Sequence, residues 1–176
     1  MEETTTPVTT RSVGIRYGVI MSAISIVYFL ILTFASIDMT SGFGRWSAFI
    51  FYFVIIYLAH KNFKDSGDSY MSYGQGVGIS FWIGLVSSVI YSLFFFVYIK
   101  FIDNSFVQAI KDKQIEEMQA KGMSDDQIDQ AMSIAGAFMT PGAMLIFGIV
   151  FGIIGMVICG VIVSIVTQKK NPQGEI

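Results

Sequence analysis

Four stretches of the chain are free of charge and almost wholly apolar: 17–37, 46–59, 74–99 and 143–166. A helix rises about 1.5 Å per residue, so roughly 20 apolar residues cross the hydrocarbon core of a bilayer. The first, third and fourth stretches reach that length. The second is about 21 Å long as a helix. Arg45 at its start can snorkel and Trp46 can sit at the membrane–water interface, which extends it. The pattern therefore predicts four spans. Thr33 and Ala35 imitate a signal-peptide cleavage site, but the apolar stretch is too long for a signal core. The segment before it is also not strongly basic, so it reads as an uncleaved anchor.

The one long polar segment, 103–139, has helical periodicity of its own. Phe106, Val107, Ile110 and Met118 fall on one face, and Gly122 supplies a stop. Ser124 with Gln127 forms a capping box for a restart, Asp125 and Asp126 suit the first turn, and Met123 with Ile128 can staple it. Ile128, Met132 and Ala135 continue the apolar stripe. The expected fold is all-α: a single membrane domain over 1–176, an integral membrane four-helix bundle. An amphipathic helical hairpin lies between spans three and four. Thr140-Pro141 is a start signal for the fourth span.

Small residues recur inside the spans. Gly76, Ser80, Gly84, Ser88 and Ser92 lie one helical turn apart on one face of the third span. Gly148, Gly152, Gly160 and Ser164 do the same on the fourth, interrupted by Met156, and Gly14, Gly18 and Ser22 on the first. In lipid, helices associate through close backbone approach, which small side chains permit. Packing within the chain is the preferred use, and a homo-oligomer interface is the alternative. On this reading Ser87, off the stripe, tolerates a large side chain better than Gly84.

Composition sharpens this picture and removes chemistry from it. The chain has 176 residues, 53% hydrophobic and 14% charged, with formal net charge −2 and mean hydropathy +0.63. A net-acidic chain gives no footprint for nucleic acid. Basic residues gather at the proposed inner ends (Arg11, Arg16, Lys61, Lys64, Lys169, Lys170), which favours both termini in the cytoplasm and 103–139 outside. The apolar stretches hold no ionisable side chain of the kind that marks proton relays and coupled transport. His60, the only histidine, has no ligand set beside it and reads as an interfacial residue at a span end. Asp65 and Asp68 read as part of a solvated turn. Gly74, Gly76 and Gly78 lack the strand and spacing of a phosphate loop. Cys159 reads as a small hydrophobe. No catalytic, metal or cofactor site is expected.

The loop 60–76, from His60-Lys61-Asn62-Phe63-Lys64 through Asp65-Ser66-Gly67-Asp68 to Ser72-Tyr73-Gly74-Gln75-Gly76, resembles the central signature of a bacterial membrane family. That family is the domain of unknown function 4199. Lys100-Phe101-Ile102-Asp103, Gly122-Met123-Ser124-Asp125-Asp126-Gln127-Ile128 and Met139-Thr140-Pro141-Gly142 add to the resemblance, which covers nearly the whole chain. A typical member carries Lys near the position of Gly78. The resemblance implies four spans in a bacterial inner membrane and brings no activity. The functional expectation is a non-enzymatic subunit or adaptor of an envelope complex. Its partners are the bilayer and a protein complex or a second copy, and the contact residues are Phe106, Val107, Ile110, Met118, Ile128 and Met132. The alternative is a solute or lipid transporter or channel formed by oligomerisation.

Overall fold

A computed structural model describes residues 8–37, 42–103 and 105–171. The Arg45 side chain and residues 1–7, which entered the reading of the first two spans, lie outside what is described. Among the described residues there are six α-helices: α1 (Thr10–Phe34), α2 (Gly42–Asp65), α3 (Tyr73–Val97), α4 (Phe106–Ala120), α5 (Asp125–Phe138) and α6 (Pro141–Thr167). A π-helical turn, Tyr98–Ile102, follows α3. The secondary structure is all-helical, as the periodicity predicts.

The helix ends differ from the apolar stretches where capping overrides hydropathy. α1 starts at Thr10, well before 17, because Thr9 and Ser12 form a capping box. Ser12 N–H donates to Thr9 Oγ1 at 3.0 Å and Thr9 N–H to Ser12 Oγ at 3.1 Å. α2 runs on through Asp65, so it is 24 residues long and about 36 Å from end to end. α3 starts on a second capping box, with Ser72 N–H donating to Gln75 Oε1 at 2.7 Å and Gln75 N–H to Ser72 Oγ at 3.2 Å. α6 starts at Pro141 under Thr140, whose hydroxyl accepts from Ala143 N–H at 3.3 Å.

The chain divides into two compact units, Met1–Tyr91 with Val150–Ile176, and Ser92–Ile149. The first holds α1, α2, the first part of α3 and the later part of α6. Tyr28 on α1 hydrogen-bonds Ser47 on α2 and stacks edge-on with Phe51, ring centroids 5.2 Å apart, so the two helices are antiparallel. α1 lies parallel to α3, with Gly14 against Ile79 and Gly18 against Ile83 and Val86. α6 lies antiparallel to α3. The direction thus alternates in chain order through the unit. Its core gathers Val13, Met21, Ile55, Ile56, Ile79, Ile83, Met156 and Cys159.

Beside this apolar core, small polar residues are buried and many large apolar ones are exposed. Ser22, Ser80, Ser87, Ser88 and Ser164 are buried, whereas Val27, Ile31, Ile50, Phe151 and Ile165 are exposed. Among the described residues three helices are long and apolar enough to cross a membrane, Thr10–Phe34, Tyr73–Ile102 and Pro141–Thr167. Only 28% of each apolar window is buried inside the protein. Faces of that kind need lipid as their solvent.

The second unit holds the end of α3, the π-helical turn, α4, α5 and the start of α6. α4 ends in a Schellman turn. Gly122 takes φ 77°, Met123 N–H donates to Met118 O at 3.2 Å and Gly122 N–H to Gln119 O at 2.9 Å. α5 restarts with Ser124 N–H donating to Gln127 Oε1 at 3.0 Å. The two helices pack on each other, and Ile128 is 5% exposed.

Candidate functional site

In the first unit the small residues of α3 and α6 meet each other in register. Gly76 faces Ser164, Ser80 faces Gly160, Gly84 faces Met156 and Ser88 faces Gly152. Each step of one turn down α3 is matched by one turn up α6, and a glycine on one helix takes the side chain of the other. A Cβ at Gly84 would stand 2.9 Å from Met156 Cβ, and one at Gly152 would stand 2.7 Å from Ser88 Cβ. Met156 interrupts the small stripe of α6 in sequence, yet in space Gly84 makes room for it. In the second unit Ser92 and Gly148 stand in the same relation, 2.7 Å from Ser92 Oγ to a Cβ at Gly148. Ser87 is itself buried, with Oγ donating to Gly84 O at 3.5 Å. Its position one residue off the stripe does not free it from contact, because α3 is enclosed on more than one side.

The α3–α6 face ends in a polar knot. His60 on α2 is 0% exposed. This corrects the expectation of an interfacial histidine: α2 continues past 59, which carries the imidazole under the ends of α3 and α6 instead of out to the surface. Its Nδ1 lies 2.7 Å from Thr167 Oγ1 and its Nε2 lies 3.0 Å from Gly76 O. Gly76 O also accepts from Ser80 Oγ at 3.0 Å. A side chain at Gly76 would meet Ser164 Oγ at 2.5 Å and His60 Cε1 at 3.2 Å, so only glycine fits there. Lys64 Nζ donates to Thr167 O at 2.9 Å, satisfying a carbonyl at the negative end of α6. Beyond the knot, Met71 and Lys169 exchange backbone hydrogen bonds of 3.0 and 2.8 Å. Asp68, expected in a solvated turn, accepts from Tyr70 N–H at 3.1 Å in an exposed turn. Ser164 Oγ is enclosed without a hydrogen-bond partner.

These contacts fix the protonation chemistry of His60. A carbonyl only accepts, so Nε2 carries a hydrogen toward Gly76 O. In the neutral ring Nδ1 is then an acceptor, and the Thr167 hydroxyl donates to it. In the charged ring Nδ1 donates to Thr167 Oγ1, and the hydroxyl hydrogen turns to Val163 O, 2.8 Å away. One proton can therefore be taken up with no heavy atom moving.

The same end of the first unit is basic. Arg11 lies 5.2 Å from the Trp82 ring centroid and Lys169 5.3 Å from that of Tyr70, and Lys64 joins them. In the second unit the residues expected to contact a partner are partly or wholly covered. Ile128 is buried, and Phe106, Val107, Ile110, Met118 and Met132 are half-buried. Phe106 stacks on Phe95 and Tyr98, with centroids 5.6 and 6.4 Å away. Among the described residues there is no group of three or more His, Cys, Asp or Glu able to hold a metal ion.

The Ser72–Gln75 cap does carry a local signal, the Ser-x-x-Gln spacing of a capping box. The His60–Thr167 pair, far apart in sequence, left no local signal. The family model described as protein of unknown function DUF4199 matches residues 16–169. No curated protein and no solved structure matches the chain.

Proposed function

Taking as premise that the chain belongs to the DUF4199 family of unknown function, we propose that it is a non-enzymatic integral membrane protein that crosses the bacterial inner membrane four times and acts through protein contacts, as a subunit or adaptor of an envelope complex. α1, α2, α3 and α6 are the spans. Support for α2 comes from its 24-residue length and its antiparallel contact with α1. The basic end around Arg11, Lys64 and Lys169 lies in the cytoplasm with both termini, by the preference of Lys and Arg for that side. The α4–α5 hairpin lies on the other side.

The observation that carries the contact role is the bracing of the hairpin. A simple connection between two spans needs no Schellman turn, no capping box and no buried Ile128. Short helices hold their shape in water only through such packing, and a held shape is what recognition requires. The exposed outer side of the pair bears Asp112, Glu116, Glu117, Asp125, Asp126 and Asp129.

The test replaces 103–139 by a flexible linker and compares purification of the two proteins in mild detergent. The full chain is expected to bring down one heterologous protein in fixed ratio, and the linker variant to insert normally and lose it. Equal yield from both variants overturns the hairpin as the recognition element. A homo-oligomer that carries solute across liposome membranes overturns the role itself in favour of a transporter.

A further inference from the structure

The hairpin is not polar throughout. α5 changes character along its length: Asp125, Asp126 and Asp129 occupy its first turns, while Ile134 and Phe138 stand exposed in its last two, at 65% and 53%. Those two residues are four apart and share a face. Phe138 stacks against Phe147 of α6, with ring centroids 5.3 Å apart. Phe147 and its neighbour Ile146 belong to the exposed apolar surface of a helix able to cross a membrane. Phe138 also precedes the start of that helix, Pro141, by so few residues that the chain keeps it within about 10 Å. The apolar end of α5 is therefore continuous with the lipid-facing surface of α6.

The geometry points to α5 as an interfacial helix: its C-terminal half, through Ile134 and Phe138, rests in the headgroup–acyl boundary of the bilayer, and its acidic N-terminal half rises into water. The occupant of this face is lipid and not protein. Interfacial helices bury their apolar side by about 5–10 Å, a depth that a helix ending beside the start of a span reaches without strain. On the exposed face of α5 the gradient runs along the axis, so α5 enters end first. The carboxylates stay clear of anionic headgroups, and no Lys/Arg face is needed. The inference goes beyond the proposed role, since it concerns contact with the bilayer and holds whether or not the hairpin has a protein partner.

The test is a nitroxide on single cysteines, Ile134→Cys, Phe138→Cys and Asp126→Cys, in a Cys159→Ser background. Each is reconstituted in phosphatidylethanolamine–phosphatidylglycerol vesicles. Collision with oxygen reports lipid, and collision with a water-soluble nickel chelate reports water. Ile134 and Phe138 are more than half exposed, so labels there displace no buried side chain. The expected result is frequent oxygen collision and loss of chelate collision at 134 and 138, with the reverse at 126. Chelate access at 134 and 138 equal to that at 126 overturns the inference by placing the whole helix in water. Protection from both reagents overturns it in favour of a protein cover, which the linker variant of the previous section would report separately.

Discussion

The α3–α6 contact of the first unit and the α4–α5 contact of the second are both helix pairs, built by opposite means. α3 and α6 approach by removing atoms: Gly76, Gly84, Gly152 and Gly160 each leave a gap that the opposing side chain fills. α4 and α5 approach by adding them, with Ile128 buried between ends fixed by Gly122 and Ser124. On the proposed topology, with α3 and α6 in lipid and the hairpin in water, the solvent explains the difference. Lipid gives no reward for covering apolar surface, so dispersion at close range must hold the pair. Water does give that reward, so a stripe of larger side chains suffices, provided the caps hold the helix ends. A contact of the first kind is intolerant of bulk, and one of the second kind is intolerant of truncation.

That contrast predicts the largest effect at Gly84. Gly84→Leu drives a side chain toward Met156 Cβ and Ile153 Cα, at 2.9 and 3.2 Å from the first added carbon. A loss of about 3 kcal/mol is expected, the upper end for overpacking, read as a drop in thermal midpoint in detergent. Gly155→Leu is its control on α6: nothing stands within 4 Å of a Cβ there, and the midpoint should barely move. Equal losses would show that α3 and α6 are not in close contact at Gly84. Next is Ile128→Ala, which removes the buried residue of the hairpin and costs about 2 kcal/mol, the low end for Ile truncation. The loss should be local, seen as faster proteolysis near Gly122 with the midpoint of the spans unchanged.

These predictions rest on features of unequal legibility. The small-residue stripes and the capping box of α5 are local patterns, with spacings that follow from the helix repeat. The partnering of Gly84 with Met156 is not local. Read along α6 alone, Met156 breaks the stripe, and only the facing glycine makes sense of it. Ser87 misleads for the same reason, since its burial depends on which neighbours surround α3. The His60–Thr167 pair is the furthest from legible. It depends on where α2 stops, and a hydropathy pattern that ends at 59 puts the histidine outside.

The polar knot offers smaller, sharper tests. Thr167→Val leaves His60 Nδ1 without its hydroxyl and should cost about 1–2 kcal/mol. Ser164→Ala removes a hydroxyl that has no partner and should cost least of all, within about 0.5 kcal/mol of the parent.

The proposed topology, four spans with both termini in the cytoplasm and 103–139 outside, has a direct test. Single cysteines at the exposed positions Lys61, Glu117 and Lys170, in a Cys159→Ser background, can be labelled with an impermeant maleimide in intact cells and again after the inner membrane is breached. The prediction is labelling of Glu117→Cys in intact cells, and of Lys61→Cys and Lys170→Cys only after the breach. Labelling of Glu117→Cys together with either of the other two in intact cells, or of Glu117→Cys only after the breach, would contradict it.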